Sequence, residues 1–427
     1  MNKYFEKAVE NTKELVKIKS VKEPSILNKP FGEGIYNALN YFLKLAESLG
    51  FKTFNYDNYI GEVVFGDGKD EDGLAILCHL DVVPEGDLNK WTYPPYSATE
   101  ADGKIYGRGI VDDKAPAVLC LYALKELKDS GFIPSRKIKL ILGCDEESGW
   151  ECINHYKKVA IMPNEGFSPD GDFPVIYAEK GILHVEFNFD YDNRILSLSG
   201  GERINMVCDY ASCKIDNLKE SEIKILKGVG LIVQDGEVKS YGKSAHGSTP
   251  NKGDNAIYRL FVGLARIGLI DFEVYGNLFI TLDRFKDVED ETGRLTFSPD
   301  VCFIENNKLK VQTDIRYPSI YPRSTILEMI EDIGEFKILH HQAPIIVDKN
   351  GKLVQTLLSI YNKEFSKNDT PIAIGGGTYA RALKNGVAFG PSIIGEGLCH
   401  EPNEHMKISD MEKCYKIYLK AIKSLAE

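Results

Sequence analysis

Gly73–Val83, GLAILCHLDVV, and Lys137–Gly143, KIKLILG, the latter running straight into Cys144-Asp145-Glu146-Glu147-Ser148, are the stretches on which the fold turns. The first opens as a continuous apolar run, the pattern of a strand buried on both faces, and the second reads as another buried strand. Each then breaks into histidine or acid. Between them Ala115–Ser130 reads as a helix closed by Gly131. Upstream, Asn2–Lys19 and Tyr36–Ser48 read as amphipathic helices, the second stopped by Gly50, and Phe51–Tyr56 and Ile60–Phe65 read as strands. Strands alternating with helices of this length predict an α/β fold, a mixed, mostly parallel sheet with helices on both faces. Ligands of such sheets sit beyond the carboxyl ends of the strands. That rule sets Cys78-His79-Leu80-Asp81 and Asp145-Glu146-Glu147 at one rim.

The pattern changes near Gly181. Ile182–Phe189 alternates as a half-exposed strand, and Ile223–Gly242 reads as a hairpin around Gln234-Asp235-Gly236. Asn255–Ile267 reads as a helix, Lys308–Ile315 as a strand and Ser324–Ile333 as a helix. The chain then resumes helix (Leu353–Phe365), glycine loop, strand (Val387–Gly390) and final helix (Ser409–Leu425). At 427 residues two domains are expected. The order predicts a catalytic domain in two pieces, 1–181 and 346–427, with an inserted α+β lid over 182–345.

A formal charge of −11 disfavours binding to a nucleic-acid backbone. No apolar run is long enough to span a bilayer. The N-terminal MNKYFEKAVENTKELVKIKS has helical spacing with acidic residues rather than the apolar stretch of a secretion signal. Nine cysteines without a CxxC pair fit reduced thiols and a cytoplasmic location.

Histidine and acid concentrate beside glycines in CHLDVVPEGD (78–87), YGRGIVDDKAP (106–116), CDEESGW (144–150), FSPDGDFP (167–174) and CHEPNEH (399–405). A pair of divalent cations needs imidazole nitrogens, carboxylates and one carboxylate able to bridge. In an extended strand residues i and i+2 share a face, so Asp81 can support the imidazole of His79. Adjacent Glu146 and Glu147 repel unless a cation or a proton compensates. Helix capping would explain one of Asp112 and Asp113. Taken singly, each segment also fits a polar strand end or a charged turn. Their joint occurrence at strand and helix ends points to a metal site.

These segments resemble the dinuclear-metal peptidase family of carboxypeptidase G, aminoacylases and carnosinases. The likeness runs along the chain and is nearest to the bacterial PepV-like (Xaa-His) dipeptidases, through FSPDGDFPVIYAEKG (167–181), GGERINMV (200–207), GKSAHGSTP (242–250) and GGGTYAR (375–381). The resemblance implies a zinc-peptidase-like catalytic domain. It also implies that His79 and Asp170 hold one metal, Glu147 and His400 the other, and that Asp112 bridges them. Glu146 is then the general base, Asp81 its supporting partner and His246 the oxyanion stabiliser. Asn205 and Arg316 position substrate, Arg316 meeting a carboxylate, while Gly376, Gly377, Thr378 and Arg381 wall the end that receives the substrate's C-terminus. Asp170 is preferred to Asp172 by the phrase SPD, and His400 to His405 by the run His400-Glu401-Pro402-Asn403-Glu404. His405 reads as a surface histidine, and His155, His184, His340 and His341 read as structural.

The activity implied is hydrolysis of dipeptides with a free N-terminus by a monomer carrying two divalent cations, Zn²⁺ first, with Mn²⁺ or Co²⁺ also suited to these ligands. The partner expected is a small peptide, with neither nucleic acid nor membrane. Two other readings use the same residues: an N-acyl amino acid deacylase or deacetylase, and a non-catalytic metal- or peptide-binding protein.

Overall fold

The computed structural model describes residues 2–280, 284–392 and 399–427. They divide into two units. The first comprises Met1–Tyr177, Val347–Ile372 and Thr378–Glu427, the second Ala178–Ile346 and Ala373–Gly377.

The first unit is built on a mixed sheet whose strands run in the order Lys52–Tyr56, Ile60–Phe65, Ile138–Gly143, Leu74–His79, Glu165–Ser168, Asn385–Ala388, Ile176–Glu179. The central pairings, from Ile138–Gly143 through to Asn385–Ala388, are parallel. Antiparallel pairs flank them. Leu74–His79 and Ile138–Gly143 are buried along their whole length, the one lysine among them, Lys139, pairing with Glu62 at 3.3 Å. Helices cover both faces. On the strand Ile60–Phe65, a side chain at Gly61 would strike Leu39 and Leu43 of the helix Glu33–Ser48. The next residue, Glu62, accepts a hydrogen bond from Tyr156 of the helix Glu151–Val159. Successive strand residues point to opposite faces, so these helices lie on opposite sides. The helix Lys114–Asp129 is buried around most of its circumference. The helix Lys3–Val16 starts at Asn2, whose side chain accepts from the Tyr4 amide at 2.8 Å.

The second unit is an antiparallel sheet in the order Ile232–Gln234, Glu237–Tyr241, Tyr210–Ile215, Ile195–Gly200, Thr296–Glu305, Lys308–Tyr317, Gly181–Phe189, Glu335–Gln342. Its core joins Leu183, Val185 and Phe187 to Ile257, Leu260, Phe261 and Leu264 of the helix Ala256–Arg266, and to Ile326 and Ile330 of the helix Arg323–Ile330.

Here the sequence reading needs correction. Ile223–Gly242 is not one hairpin: Glu220–Gly228 is helical, and only Ile232–Gln234 with Glu237–Tyr241 forms the hairpin. The helix starts where the Glu222 carboxylate accepts from the Lys219 amide at 2.9 Å, as in a capping box. The turn is as expected, with Asp235 and Gly236 both at positive φ, 49° and 78°. Thr296–Glu305 escaped detection because Pro299 and Asp300 lie inside it, and the register shifts at Pro299/Val301. Among the described residues no helix is long and apolar enough to cross a membrane.

Gly143 closes the strand Ile138–Gly143 directly beneath the acidic turn. A Cβ there would fall 1.8 Å from the Tyr379 hydroxyl, which is fully buried and 3.0 Å from Cys152 Sγ. Gly143→Ala is therefore expected to cost about 1–3 kcal/mol by overpacking. Urea titration checks this; an unchanged midpoint would contradict it.

Candidate metal centre

His79 pairs in register with Gly143 across parallel strands. Each chain leaves its strand over the same rim, so His79 and the turn Glu146–Glu147 meet there. Asp170 arrives just after the neighbouring parallel strand Glu165–Ser168.

The His79 ring is fully buried and lies with Nδ1 3.0 Å from the Asp81 carbonyl oxygen. A proton on Nδ1 donates to that carbonyl and leaves Nε2 as a lone-pair donor. Nε2 is 2.7 Å from Asp112 Oδ1 and 3.8 Å from Asp170 Oδ2. Asp112 Oδ2 is 3.0 Å from His400 Nε2, which is also 3.1 Å from Glu147 Oε1. Asp112 thus turns one oxygen toward each imidazole, the geometry of a bridging carboxylate. Two donor groups result, His79 with Glu146 and Asp170, and His79 with Asp112 and Glu147, each with its ligand atoms within 4.8 Å of one another. Asp172 pairs instead with Ser392 in a short parallel bridge.

Burial raises the carboxyls of Glu146 and Glu147 above their ordinary range, with neighbouring acids adding to the effect. Burial and the Asp112 charge push Asp170 up to about 7. At His400 burial acts downward, but the contacts with Asp112 and Glu147 outweigh it and carry the ring to about 11. Asp112 goes the other way: despite burial, the two imidazoles hold it well below the usual carboxylate range. Two imidazoles and four carboxylates so arranged match the donor chemistry of a divalent pair.

Residues that sequence reasoning passed over hold this arrangement. Glu404 is buried and accepts from Arg108 Nη1 at 2.8 Å, the Gly109 amide at 3.0 Å and the Val111 amide at 2.9 Å. It clamps the loop that carries Asp112. Asn403 accepts from the Thr92 amide at 2.6 Å and donates to the Lys90 carbonyl at 2.8 Å, fixing the run from His400. The Asp145 carboxylate receives Lys22 Nζ, Ser148 Oγ and the Glu151 amide at 2.6–2.9 Å. The available signal was the glycine-flanked Arg108 and the acid ending HEPNE.

Two expectations change in detail. Asp81 supports His79 chiefly through its backbone carbonyl, 3.0 Å from Nδ1, with its carboxylate Oδ1 farther off at 3.5 Å. Its carboxylate also accepts from the Glu146 and Glu147 amides, both at 3.1 Å. Asp113 occupies the N-cap position of the helix Lys114–Asp129 without capping it. Its Oδ2 accepts from the His79 amide at 3.2 Å. His405 is half-buried, its ring 4.9 Å from that of Tyr106. Thr378 is buried in the first unit and accepts from the Ala380 amide at 3.3 Å, ahead of a short 3₁₀ turn that includes Arg381.

In the second unit, Gly376 and Gly377 belong to the segment Ala373–Gly377. Asn205, His246 and Arg316 come together there. The Asn205 carbonyl accepts from the Gly247 amide at 2.7 Å, and Met206 bridges to His246. His246 Nδ1 accepts from the Ser248 amide at 3.1 Å, which puts the proton of the neutral ring on Nε2. Arg316 donates through Nε to Asp314 Oδ1 and Oδ2 at 2.7 and 2.9 Å.

A sheet rim that gathers two imidazoles around a carboxylate, with a further pair of glutamates on one turn, is the centre of a metal-dependent hydrolase. A model of peptidase family M20/M25/M40 matches residues 75–424, and the chain belongs to that family as a hydrolase acting on peptide bonds. It is 36% identical over 460 residues to the Bacillus subtilis (strain 168) protein named "Putative dipeptidase YtjP", covering 99% of this chain and 98% of that one. A "Putative dipeptidase" of Staphylococcus epidermidis is 32% identical over 462 residues, covering 99% and 97%. Among solved structures, human carnosine dipeptidase 1 shares the fold at a TM-score of 0.60 and 16% identity, covering 99% of this chain and 97% of that one.

With Asp170 at about 7, a proton competes for the site below neutrality and is displaced when a cation binds. Affinity for divalent ions is therefore expected to fall as pH drops from 8 to 6, by up to about tenfold per unit for each proton displaced. Calorimetry in buffers of different ionisation enthalpy reads both the affinity and the released protons; a pH-independent affinity without proton release would refute this.

Proposed function

We propose that the chain is a dipeptidase acting on dipeptides with a free N-terminus at a pair of divalent cations. The observation that carries this is Asp112 standing between His79 and His400 with Glu146 beside them. The names of the relatives at 36% and 32% identity support the same substrate class. In this reading His79 and Asp170 would hold one cation, Glu147 and His400 the other, and Asp112 would be shared by both. When bound, the cations supply Lewis acidity toward the scissile carbonyl and the attacking water. The donor set favours Zn²⁺, with Mn²⁺ and Co²⁺ compatible.

Glu146 takes the proton of the attacking water on a carboxylate oxygen and delivers it to the leaving amine nitrogen. Asp81, by gripping the Glu146 and Glu147 amides, keeps base and ligand on separate bearings. His246 donates from Nε2 to the developing oxyanion, a contribution whose loss typically costs about a hundredfold or more in turnover. Arg316 reads the substrate carboxylate through its guanidinium fork. Asn205, Gly376, Gly377, Thr378 and Arg381 complete substrate positioning. The peptide is a small soluble partner, and the nine free cysteines suit a reducing cytoplasm.

Glu146→Ala is expected to retain bound metal while kcat falls by about 10²–10⁴. Metal analysis with a panel of Ala-His, Ala-Ala and N-acetyl amino acids, run with Zn²⁺ and with Mn²⁺ after chelation, checks both the base and the substrate class. Normal dipeptide turnover by the variant would remove Glu146 from its role. Wild-type preference for the N-acetyl compounds would replace the dipeptidase reading with a deacylase. Arg316→Ala is expected to raise KM or lower kcat for free dipeptides far more than for their C-terminal amides; equal losses would reject the carboxylate fork.

A further inference from the structure

Within the second unit the buried carboxylate of Asp314 meets both Arg316 and the turn that carries His246. Asp314 is fully buried in the middle of the strand Lys308–Tyr317, two residues before Arg316 and therefore on the same face. Both of its oxygens accept from Arg316 Nε, at 2.7 and 2.9 Å. Across the antiparallel ladder its register partner is His184, whose Nε2 lies 3.3 Å from Oδ1. Above it passes the turn that carries His246. A Cβ on Gly247 would stand 2.2 Å from Asp314 Oδ2, so the backbone there rests directly on the carboxylate. That turn is held from the other side by the Asn205 carbonyl, at 2.7 Å from the Gly247 amide, and Thr296 Oγ1 lies 3.5 Å from the Gly247 carbonyl.

We infer that Asp314 is the positioning residue of the substrate-reading surface: it holds Arg316 edge-on by Nε and seats the His246–Gly247 turn at the same time. Nε donation to Asp314 leaves the two Nη groups for a ligand, and these form the end-on fork that matches a carboxylate. An arginine pinned in this way loses its rotamer freedom on folding rather than on binding, which favours recognition. The paired charges also cancel, so the ion pair attracts a ligand through the direction of its N–H groups more than through net charge. Glycine at 247 follows from the same contact, since a larger residue would push either the turn or the carboxylate away.

This inference rests on the carboxylate-reading role of Arg316, and the experiment separates the two. KM and kcat are measured for Ala-Ala and its C-terminal amide on wild type, Arg316→Ala, Asp314→Asn and the double variant, each loaded with the same metal. The ratio of kcat/KM for acid over amide, taken within one preparation, cancels any difference in folded fraction. Asp314→Asn is expected to lower that ratio about tenfold or more, chiefly through KM, and to add little further loss in the Arg316→Ala background. If wild type and Arg316→Ala share the same ratio, the role of Arg316 itself is wrong. If Arg316→Ala loses the preference and Asp314→Asn keeps it, the positioning role is wrong. Should Asp314→Asn prove insoluble, Gly247→Ala carries the test: a lowered ratio supports the inference, and an unchanged one overturns it.

Discussion

Like charges brought within a few ångströms at one sheet rim are the constraint from which the rest of the first unit follows. Asp112, Glu146, Glu147 and Asp170, all partly buried, crowd around the buried imidazole of His79 and the half-exposed one of His400. Burial and mutual repulsion lift three of these carboxyls, while the fourth, Asp112, is drawn down by the histidines on either side. A loop free to move would relieve that crowding by swinging an acid into solvent. The fold prevents this.

It does so with a further set of acids that grip the backbone of the loops around the site. Asp81 holds two backbone amides of the glutamate turn, Asp145 holds the far end of that turn, and Glu404 holds two amides of the Asp112 loop together with Arg108. Each satisfies buried N–H groups that would otherwise lack partners. Each spends its negative charge on donors, so it adds order more than repulsion. The buried Arg108–Glu404 pair is of the kind whose disruption by removal of one partner typically costs about 3–5 kcal/mol. The ligating acids face one another; the anchoring acids face the chain.

The second unit repeats the device with different geometry. Its sheet is antiparallel, with one face on the core around Phe187 and Phe261. Asp314 stands among those strands with its carboxylate against both Arg316 and the Gly247 backbone. In both units a buried acid converts a mobile group into a fixed one, a flexible turn in the first and a long cationic side chain in the second. Preorganisation of this kind is what a hydrolase needs, since positions held before substrate arrives need no reorganisation during reaction.

The chain order and residue types alone determined the α/β class, the parallel centre of the sheet and the rim on which chemistry collects. Unbroken apolar runs such as Leu74–Cys78 admit few other burial schemes, and strand ends locate the rim. The joint occurrence of five histidine- and acid-bearing segments marked the site, while the choice of His79, Glu146, Glu147 and His400 within them came from the family resemblance. Tertiary structure alone decided how the acids divide their work. Asp81, Asp113 and Glu404 look like ligands or caps in a sequence, yet each is turned toward backbone amides. The hidden strand Thr296–Glu305 and the helix Glu220–Gly228 likewise emerge only from pairing and capping partners elsewhere in the chain. A carboxylate has the same formula whether it binds a cation or an N–H group. Direction is what separates the two, and direction is set by contacts between segments far apart in sequence.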